Sequence, residues 1–167
     1  MASITFAGKP VNTSGTLPQP GAAAPAFSLT ATDLTEKSLA DFVGKTVVLN
    51  IFPSLDTSVC AMSVRKFNEL AAGLPNTVVL SVSRDLPFAI KRFCALEGIA
   101  NVQGLSELRS LAFGADYGVE ILDGPLRGLL ARAVVVIDSN GVVRHSELVG
   151  EITTEPDYTA ALSAAKS

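Results

Sequence analysis

Three short runs of apolar residues, rich in Val, Ile and Leu, stand out along the chain. They cover residues 46–52, 77–83 and 132–138. Because each run is short, β-branched, nearly unbroken and bounded by turn residues, each predicts a strand buried on both faces of a sheet. A fourth run, residues 141–149, alternates apolar and polar positions after the turn sequence Asp-Ser-Asn-Gly. It predicts an antiparallel strand with one solvated face.

Helical patterns lie between and after these strands. Residues 87–97 predict a helix, because Pro87 suits a first turn and Gly98 follows the last. Residues 107–113 predict a short helix, and the capping-box sequence at residues 154–157 predicts a final helix reaching residue 165. After the first strand, apolar side chains recur at intervals of four and three and predict one buried helix face: Cys60, Val64, Phe67, Ala71 and Leu74.

The amino-terminal region predicts a β-hairpin followed by an irregular connector. Residues 3–6 and 11–13 flank a turn-rich break, and residues 14–26 contain three prolines. The alternation of strands and helices further along predicts an α/β fold with a central mixed sheet covered by helices. Since the composition does not change again, we predict a single domain over residues 1–167, with residues 1–13 as a hairpin extension.

The charge and hydropathy of the chain indicate which kinds of binding partner to expect. The 167 residues include 13 Lys plus Arg and 16 Asp plus Glu, a formal net charge of −3. Nucleic acids and acidic membranes are bound by clustered positive charge, so we expect neither as a partner. No stretch approaches the roughly 18 to 20 apolar residues of a membrane span, and the amino terminus lacks the pattern of a secretory signal. We therefore expect a cytoplasmic protein.

The chain contains two cysteines, Cys60 and Cys94, and one histidine, His145. This set is too small for a disulfide scaffold or for a tetrahedral Cys/His zinc site. In a reducing compartment, a cysteine pair is more often catalytic or redox-sensing than structural. Taken alone, each cysteine also fits a buried core residue.

The segment before Cys60 favours a charged thiolate. Pro53 ends a strand, and with Thr57 as N-cap, Cys60 takes the third helical position, where backbone N–H groups lack intrahelical partners. A free thiol is about 3% thiolate at pH 7, and making the thiolate dominant needs roughly 3.4 kcal/mol. A helix amino terminus contributes about 0.3–2 kcal/mol, and Asp56 opposes it. We therefore expect a second positive group, an Arg from elsewhere in the chain, beside Cys60.

The pattern Pro53-x-x-x-Thr57-x-x-Cys60 matches the active-site signature of peroxiredoxins, which are thiol-dependent peroxidases on a thioredoxin-like fold. More closely, the chain resembles the bacterial thiol peroxidase subfamily, the atypical two-cysteine peroxiredoxins. The likeness extends over nearly the whole length, and its matching segments are residues 50–57, 63–68, 85–89, 92–94, 117–119, 123–126 and 131–138.

This resemblance implies a role for five residues. Cys60 is the peroxidatic nucleophile, whose thiolate attacks hydrogen peroxide or an organic hydroperoxide and becomes a sulfenic acid. Thr57 orients the peroxide oxygens, Pro53 shields the pocket, and Arg132 supplies the missing positive charge. Cys94 is the resolving cysteine, which forms an intramolecular disulfide with Cys60.

The same resemblance implies thioredoxin as the external reductant, a homodimer, and no metal, flavin or nucleotide cofactor. A disulfide requires Cα atoms about 4.4–6.8 Å apart. Because Cys60 and Cys94 fall in different predicted helices, we expect both helical segments to rearrange between the reduced and oxidised forms.

Three alternatives to a peroxidase remain open at the level of sequence. One is a hydrolase with Cys60 as nucleophile and His145 as base, although we expect His145 to be an exposed strand residue. The second is a non-catalytic redox-sensing domain that uses the Cys60–Cys94 disulfide as a switch. The third is a general disulfide oxidoreductase.

Overall fold

A seven-stranded mixed sheet lies at the centre of the structure, a computed structural model that describes residues 1–167. The strands are β1 (Ser3–Phe6), β2 (Lys9–Asn12), β3 (Ser28–Ala31), β4 (Glu36–Ser38), β5 (Thr46–Ile51), β6 (Thr77–Ser83), β7 (Val102–Ser106), β8 (Ala133–Ile137) and β9 (Val143–Leu148). The helices are α1 (Ser58–Ala71), α2 (Pro87–Glu97), α3 (Ala112–Asp116), α4 (Tyr158–Lys166) and a short 3₁₀ helix (Leu39–Phe42). None of the helices combines the length and apolar character needed to cross a membrane.

The order of the strands brings three loops to one edge of the sheet. The order is β4-β3-β7-β6-β5-β8-β9, and β1 and β2 form a separate hairpin. β5, β6 and β7 run parallel, whereas β3, β4, β8 and β9 pair antiparallel with their neighbours. Because parallel strands end at the same edge, the segments that follow β5, β6 and β7 lie near one another.

Two layers of apolar side chains cover the faces of the sheet. On one face, α1, α2 and α4 pack around residues such as Phe67. On the other face, the β1–β2 hairpin and α3 contribute residues such as Val11 and Phe113. Consecutive residues of β5 alternate between the layers, with Val48 in the first and Leu49 in the second, because successive strand side chains point to opposite faces. This two-sided burial explains the unbroken apolar runs.

The predicted architecture is confirmed as a mixed α/β sheet with an amino-terminal hairpin. β6 and α2 have the predicted bounds. Gly98 ends α2 in the left-handed conformation with φ +64°, which glycine adopts without steric cost. The Asp138–Gly141 turn between β8 and β9 is also present, since the Gly141 N–H donates to the Asp138 carbonyl at 3.0 Å.

Some local predictions are wrong. Residues 107–111 are not helical, and α3 begins only at Ala112. The final helix begins at Tyr158, where the Asp157 carboxylate accepts the Ala160 N–H at 3.0 Å. Strands β3, β4 and β7 were not predicted, because they are short or polar and pairing with neighbouring strands decides their conformation.

Candidate active site

Cys60 lies where the chain passes from β5 into α1. Thr57 is the N-cap, with φ −107° and ψ 145°, and Cys60 is the third residue of the helix, as predicted. The Thr57 side chain makes no cap hydrogen bond to the helix. Its Oγ1 instead donates to the Ser54 carbonyl at 2.9 Å, and its backbone N–H donates to the same oxygen at 3.2 Å. Two hydrogen bonds between residues 54 and 57 therefore stabilise a turn in the loop that precedes α1.

Arg132 is the positive group beside Cys60. It directly precedes β8 and is 2% exposed, and its Nη2 lies 3.2 Å from Cys60 Sγ. Its Nε donates to the Ile152 carbonyl at 2.8 Å, while Nη1 is buried without a hydrogen-bond partner. Because a guanidinium keeps its charge at every physiological pH, this contact places a fixed positive charge beside the Cys60 sulfur.

A pocket of about 400 Å³ opens in front of these residues. Pro53, Thr57 and Arg132 form part of its lining. Cys60 has no exposed surface, and Arg132 both lines the pocket and donates a hydrogen bond to the sulfur. The rest of the wall includes apolar side chains that the sequence analysis did not assign to the site: Phe6, Val59, Leu126, Leu129 and Ile152.

Cys94 lies on a different helix from Cys60. It is half-buried on α2, both thiols are free, and it lines a separate cleft of about 320 Å³. Burial raises the pKa of the Cys94 thiol. The structure therefore brings Thr57, Arg132 and Pro53 together at one pocket, with the Cys60 sulfur hydrogen-bonded to Arg132, and places Cys94 at another cleft.

His145 differs from its predicted exposed position. It is half-buried on β9, opposite Val136, and its Nε2 is buried without a partner. Val136 is four residues along the chain from Arg132, which corresponds to about 13 Å at about 3.3 Å per strand residue. Cys60 receives a hydrogen bond from Arg132 and none from His145, so the geometry gives no support to a Cys-His hydrolase.

Asp85 is a residue of this region that sequence reasoning missed. It follows β6, and its carboxylate accepts hydrogen bonds from Ser54 Oγ at 2.7 Å and from the Leu55 N–H at 2.9 Å. A signal for it was present in the sequence. The strand before Asp85 and the strand before Cys60 both read as buried, and parallel pairing brings their carboxyl ends together.

Known proteins similar to this chain share its fold and much of its sequence. Residues 19–162 match the Redoxin family model. The chain is 57% identical to a thiol peroxidase from Corynebacterium glutamicum over 164 residues, covering 98% of this chain and 99% of that protein. It is 58% identical over 164 residues to a thiol peroxidase from Mycobacterium tuberculosis, with 98% of each chain covered.

Two solved structures agree with these relatives. A peroxiredoxin-like protein from Aquifex aeolicus has a TM-score of 0.93 at 40% identity, covering 99% of this chain and 96% of that one. A thiol peroxidase from Chromobacterium violaceum shows the same fold, with a TM-score of 0.88 at 23% identity over 95% of this chain and 91% of that one.

The fold and these relatives define the class as peroxiredoxin, a thiol-dependent peroxidase on a thioredoxin-like sheet. Within that class, the chain belongs to the thiol peroxidase family. It is an enzyme that reduces peroxide, and its family carries out this chemistry on cysteine sulfur without a prosthetic group. The resemblance found in the sequence is confirmed.

Proposed function

We propose that Cys60 is the peroxidatic cysteine and Cys94 the resolving cysteine of a peroxidase that is recycled by thioredoxin. The observation that carries the assignment of Cys60 is the 3.2 Å contact between Arg132 Nη2 and Cys60 Sγ. Only a thiolate attacks peroxide efficiently. The helix amino terminus alone stabilises a thiolate too little, and the Arg132 guanidinium is the additional positive charge beside the sulfur.

In the first step, the Cys60 thiolate attacks the terminal oxygen of the hydroperoxide. The S–O bond forms as the O–O bond breaks, so sulfur is oxidised to a sulfenic acid, and the departing oxygen takes a proton to become water or an alcohol. Arg132 stabilises the charge that develops on the departing oxygen. Its Nη1, buried and without a protein partner, supports this role.

Thr57 and Pro53 complete the pocket in this proposal. Both line it, and the Thr57 hydroxyl is held by the Ser54 carbonyl, which leaves its oxygen free to accept a hydrogen bond from the peroxide. Pro53 has no N–H and shields the site from water. The apolar wall that includes Phe6, Leu126 and Ile152 supports organic hydroperoxides as substrates besides hydrogen peroxide.

In the second step, the Cys94 thiol condenses with the Cys60 sulfenic acid, which releases water and forms the intramolecular disulfide. The two cysteines lie on different helices and are unpaired, so both helical segments move before the bond forms. A dithiol of thioredoxin then reduces the disulfide. A cycle that ends in free thiols suits the cytoplasm, where thiols are kept reduced.

A homodimer is part of the proposal. Among the exposed apolar side chains, Leu86 and Phe88 lie on one segment and Leu108 and Leu111 on another. The segments are neighbours, because Arg84 donates to Glu107 at 2.8 Å. Phe88→Asp should shift the protein toward monomer in sedimentation experiments, and an unchanged dimer would place the interface elsewhere.

The decisive experiment is steady-state peroxide consumption with thioredoxin, thioredoxin reductase and NADPH. We expect continuous turnover of the wild type, no reaction of Cys60→Ser and a single oxidation of Cys94→Ser. A redox sensor would oxidise once and stop, and a general oxidoreductase would reduce insulin disulfides without peroxide. His145→Ala should keep nearly full turnover, whereas its loss would favour the hydrolase alternative.

A further inference from the structure

The Asp85 carboxylate accepts three hydrogen bonds near the carboxyl ends of β5 and β6. Its Oδ1 accepts from Ser54 Oγ at 2.7 Å, and its Oδ2 accepts from the Leu55 N–H at 2.9 Å and from Ser83 Oγ at 2.7 Å. Two of the three donors belong to the loop that leads to Cys60. One carboxylate thus ties the end of β6 to that loop.

The bonds of Asp85 continue through Ser54 to the pocket. The Ser54 carbonyl accepts both the Oγ1 and the N–H of Thr57, and Ser54 Oγ accepts the Asp56 N–H at 3.1 Å. Ser54 is therefore held by Asp85 on one side and holds Thr57 on the other. Thr57 is one of the residues that line the pocket.

Asp85 is itself fixed to the sheet. Its carbonyl accepts Ser106 Oγ at 2.5 Å, at the end of β7, and its N–H donates to Ser83 Oγ at 3.3 Å. Paired strands move less than loops, and these bonds anchor the loop before Cys60 to the ends of two paired strands. In contrast, Asp85 has no hydrogen bond to Arg132, and none to Cys60, whose sulfur is bonded by Arg132.

We propose that Asp85 is a positioning residue for peroxide reduction, and that it acts by holding residues 53–57 so that the Thr57 hydroxyl meets the peroxide. This role rests on the proposed function of Cys60 and Thr57. Because the Arg132–Cys60 contact does not involve Asp85, removing the carboxylate slows the reaction with peroxide and leaves the thiolate population unchanged.

The test compares Asp85→Ala with Asp85→Asn, using rapid mixing with hydrogen peroxide and the ultraviolet absorbance of the thiolate. Asp85→Ala should lower the rate constant for Cys60 oxidation by about 10- to 100-fold, since a displaced orienting group has effects of this size. The thiolate absorbance at neutral pH should stay the same. Asp85→Asn should recover most of the rate, because the amide oxygen still accepts the Leu55 N–H.

Asp138→Ala is the matched control. Asp138 also accepts two backbone N–H groups, from Asn140 and Val142, but it lies at the opposite end of β8 from Arg132. This variant should lose stability and keep the rate constant. If Asp85→Ala does not fold, Ser54→Ala replaces it as the deciding variant. Ser54 is half-exposed, and its substitution removes one hydrogen bond to Asp85. We expect slower oxidation of Cys60 and an unchanged thiolate absorbance.

The proposal is overturned if the deciding variant reacts at the wild-type rate, if its thiolate absorbance falls together with its rate, or if Asp138→Ala is slowed equally. Measurements on Cys60→Ser distinguish a failure of the proposed role of Asp85 from a failure of the proposed function. Oxidation of Cys60→Ser by peroxide at the wild-type rate overturns the function and with it the role of Asp85. If Cys60→Ser does not react with peroxide and Asp85→Ala reacts at the wild-type rate, only the role of Asp85 is overturned.

Discussion

Nη2 of Arg132 lies 3.2 Å from Sγ of Cys60, although the two residues are 72 positions apart in the chain. The guanidinium is held in this place by a second hydrogen bond, from Nε to the Ile152 carbonyl at 2.8 Å. Both residues are buried, so solvent screens the attraction between the cation and the thiolate less than it would at the surface. The charge and the nucleophile are thus paired before any peroxide binds.

Arg132→Met should slow the oxidation of Cys60 by hydrogen peroxide by at least about tenfold, because the departing oxygen loses the positive charge that stabilises it. Rapid-mixing kinetics measures the rate constant of this step in the variant and in the wild type.

Arg132→Lys is the control for the charge alone. An ammonium restores part of the attraction, but it cannot donate to Cys60 and to the Ile152 carbonyl in the planar geometry of a guanidinium. We expect an intermediate rate of Cys60 oxidation. If Arg132→Met reacts with hydrogen peroxide at the wild-type rate, the contact has no role in the reaction.

The conversion of the sulfenic acid to the disulfide should accelerate as the pH rises. Burial raises the pKa of the Cys94 thiol, so at neutral pH Cys94 is almost entirely protonated, and its nucleophilic fraction grows with each step toward alkaline pH. Rapid quenching and mass spectrometry after one equivalent of peroxide would follow this step between pH 6.5 and 8.5. A rate that does not change with pH would show that the movement of the helices, and not the thiol, limits the reaction.

An exposed ion pair joins the two helices that carry the cysteines. Arg65 on α1 donates Nε and Nη2 to the Glu97 carboxylate on α2, each at 2.8 Å. The proposed disulfide between Cys60 and Cys94 requires these helices to rearrange. Glu97→Gln should therefore speed disulfide formation a few-fold and reduce overoxidation of Cys60 to the sulfinic acid, with little change in melting temperature because exposed ion pairs contribute little to stability.

Glu69→Gln is the comparison for Glu97→Gln. Glu69 is exposed on α1 and takes part in none of the ion pairs of the structure. Its substitution removes the same charge without opening the contact between the helices. Equal acceleration in both variants would attribute the effect to net charge instead of the ion pair.

Ionisation of the Glu151 carboxyl should make the stability of the fold depend on pH in the acid range. Hydrogen bonds from Thr5 and Thr153 lower the pKa of its carboxyl to about 2, against about 4.5 for an ordinary Glu. The ionised carboxylate therefore stabilises the fold above about pH 4.5, and this contribution is lost as the pH falls toward 2. Glu151→Gln should unfold at lower denaturant than the wild type at pH 7, and the difference should shrink below pH 4. A difference that is constant from pH 7 to pH 3 would contradict this account.

Local signals in the sequence were sufficient for the elements that a short segment specifies by itself. The Pro87 start and Gly98 stop of α2 act within one helix, and its predicted bounds are those of the structure. The unbroken apolar runs at β5, β6 and β8 reflect burial on both faces. The positions of Thr57 as N-cap and Cys60 as third helical residue followed from one strand-to-helix connection.

Other local signals pointed the wrong way because distant contacts override them. Residues 107–113 have helical character, yet Glu107 is buried, where its carboxylate accepts from Arg84 at 2.8 Å and from the Gly114 N–H at 2.8 Å. A buried carboxylate requires such partners, and these lie 23 positions earlier and 7 positions later in the chain. The conformation there follows the partners and not the propensity of the segment.

The sequence by itself determined the fold class, the family, and the residues with the chemistry to act: a cysteine at a helix start, a second cysteine and an arginine at a strand start. Only the tertiary structure decided which of them meet. It placed Arg132 against Cys60, built the pocket wall partly from Phe6 and Ile152, and tied the loop to Asp85. The physical reason is that helix and strand signals act over a few residues, whereas a site is assembled by sheet pairing and packing between segments far apart in the chain.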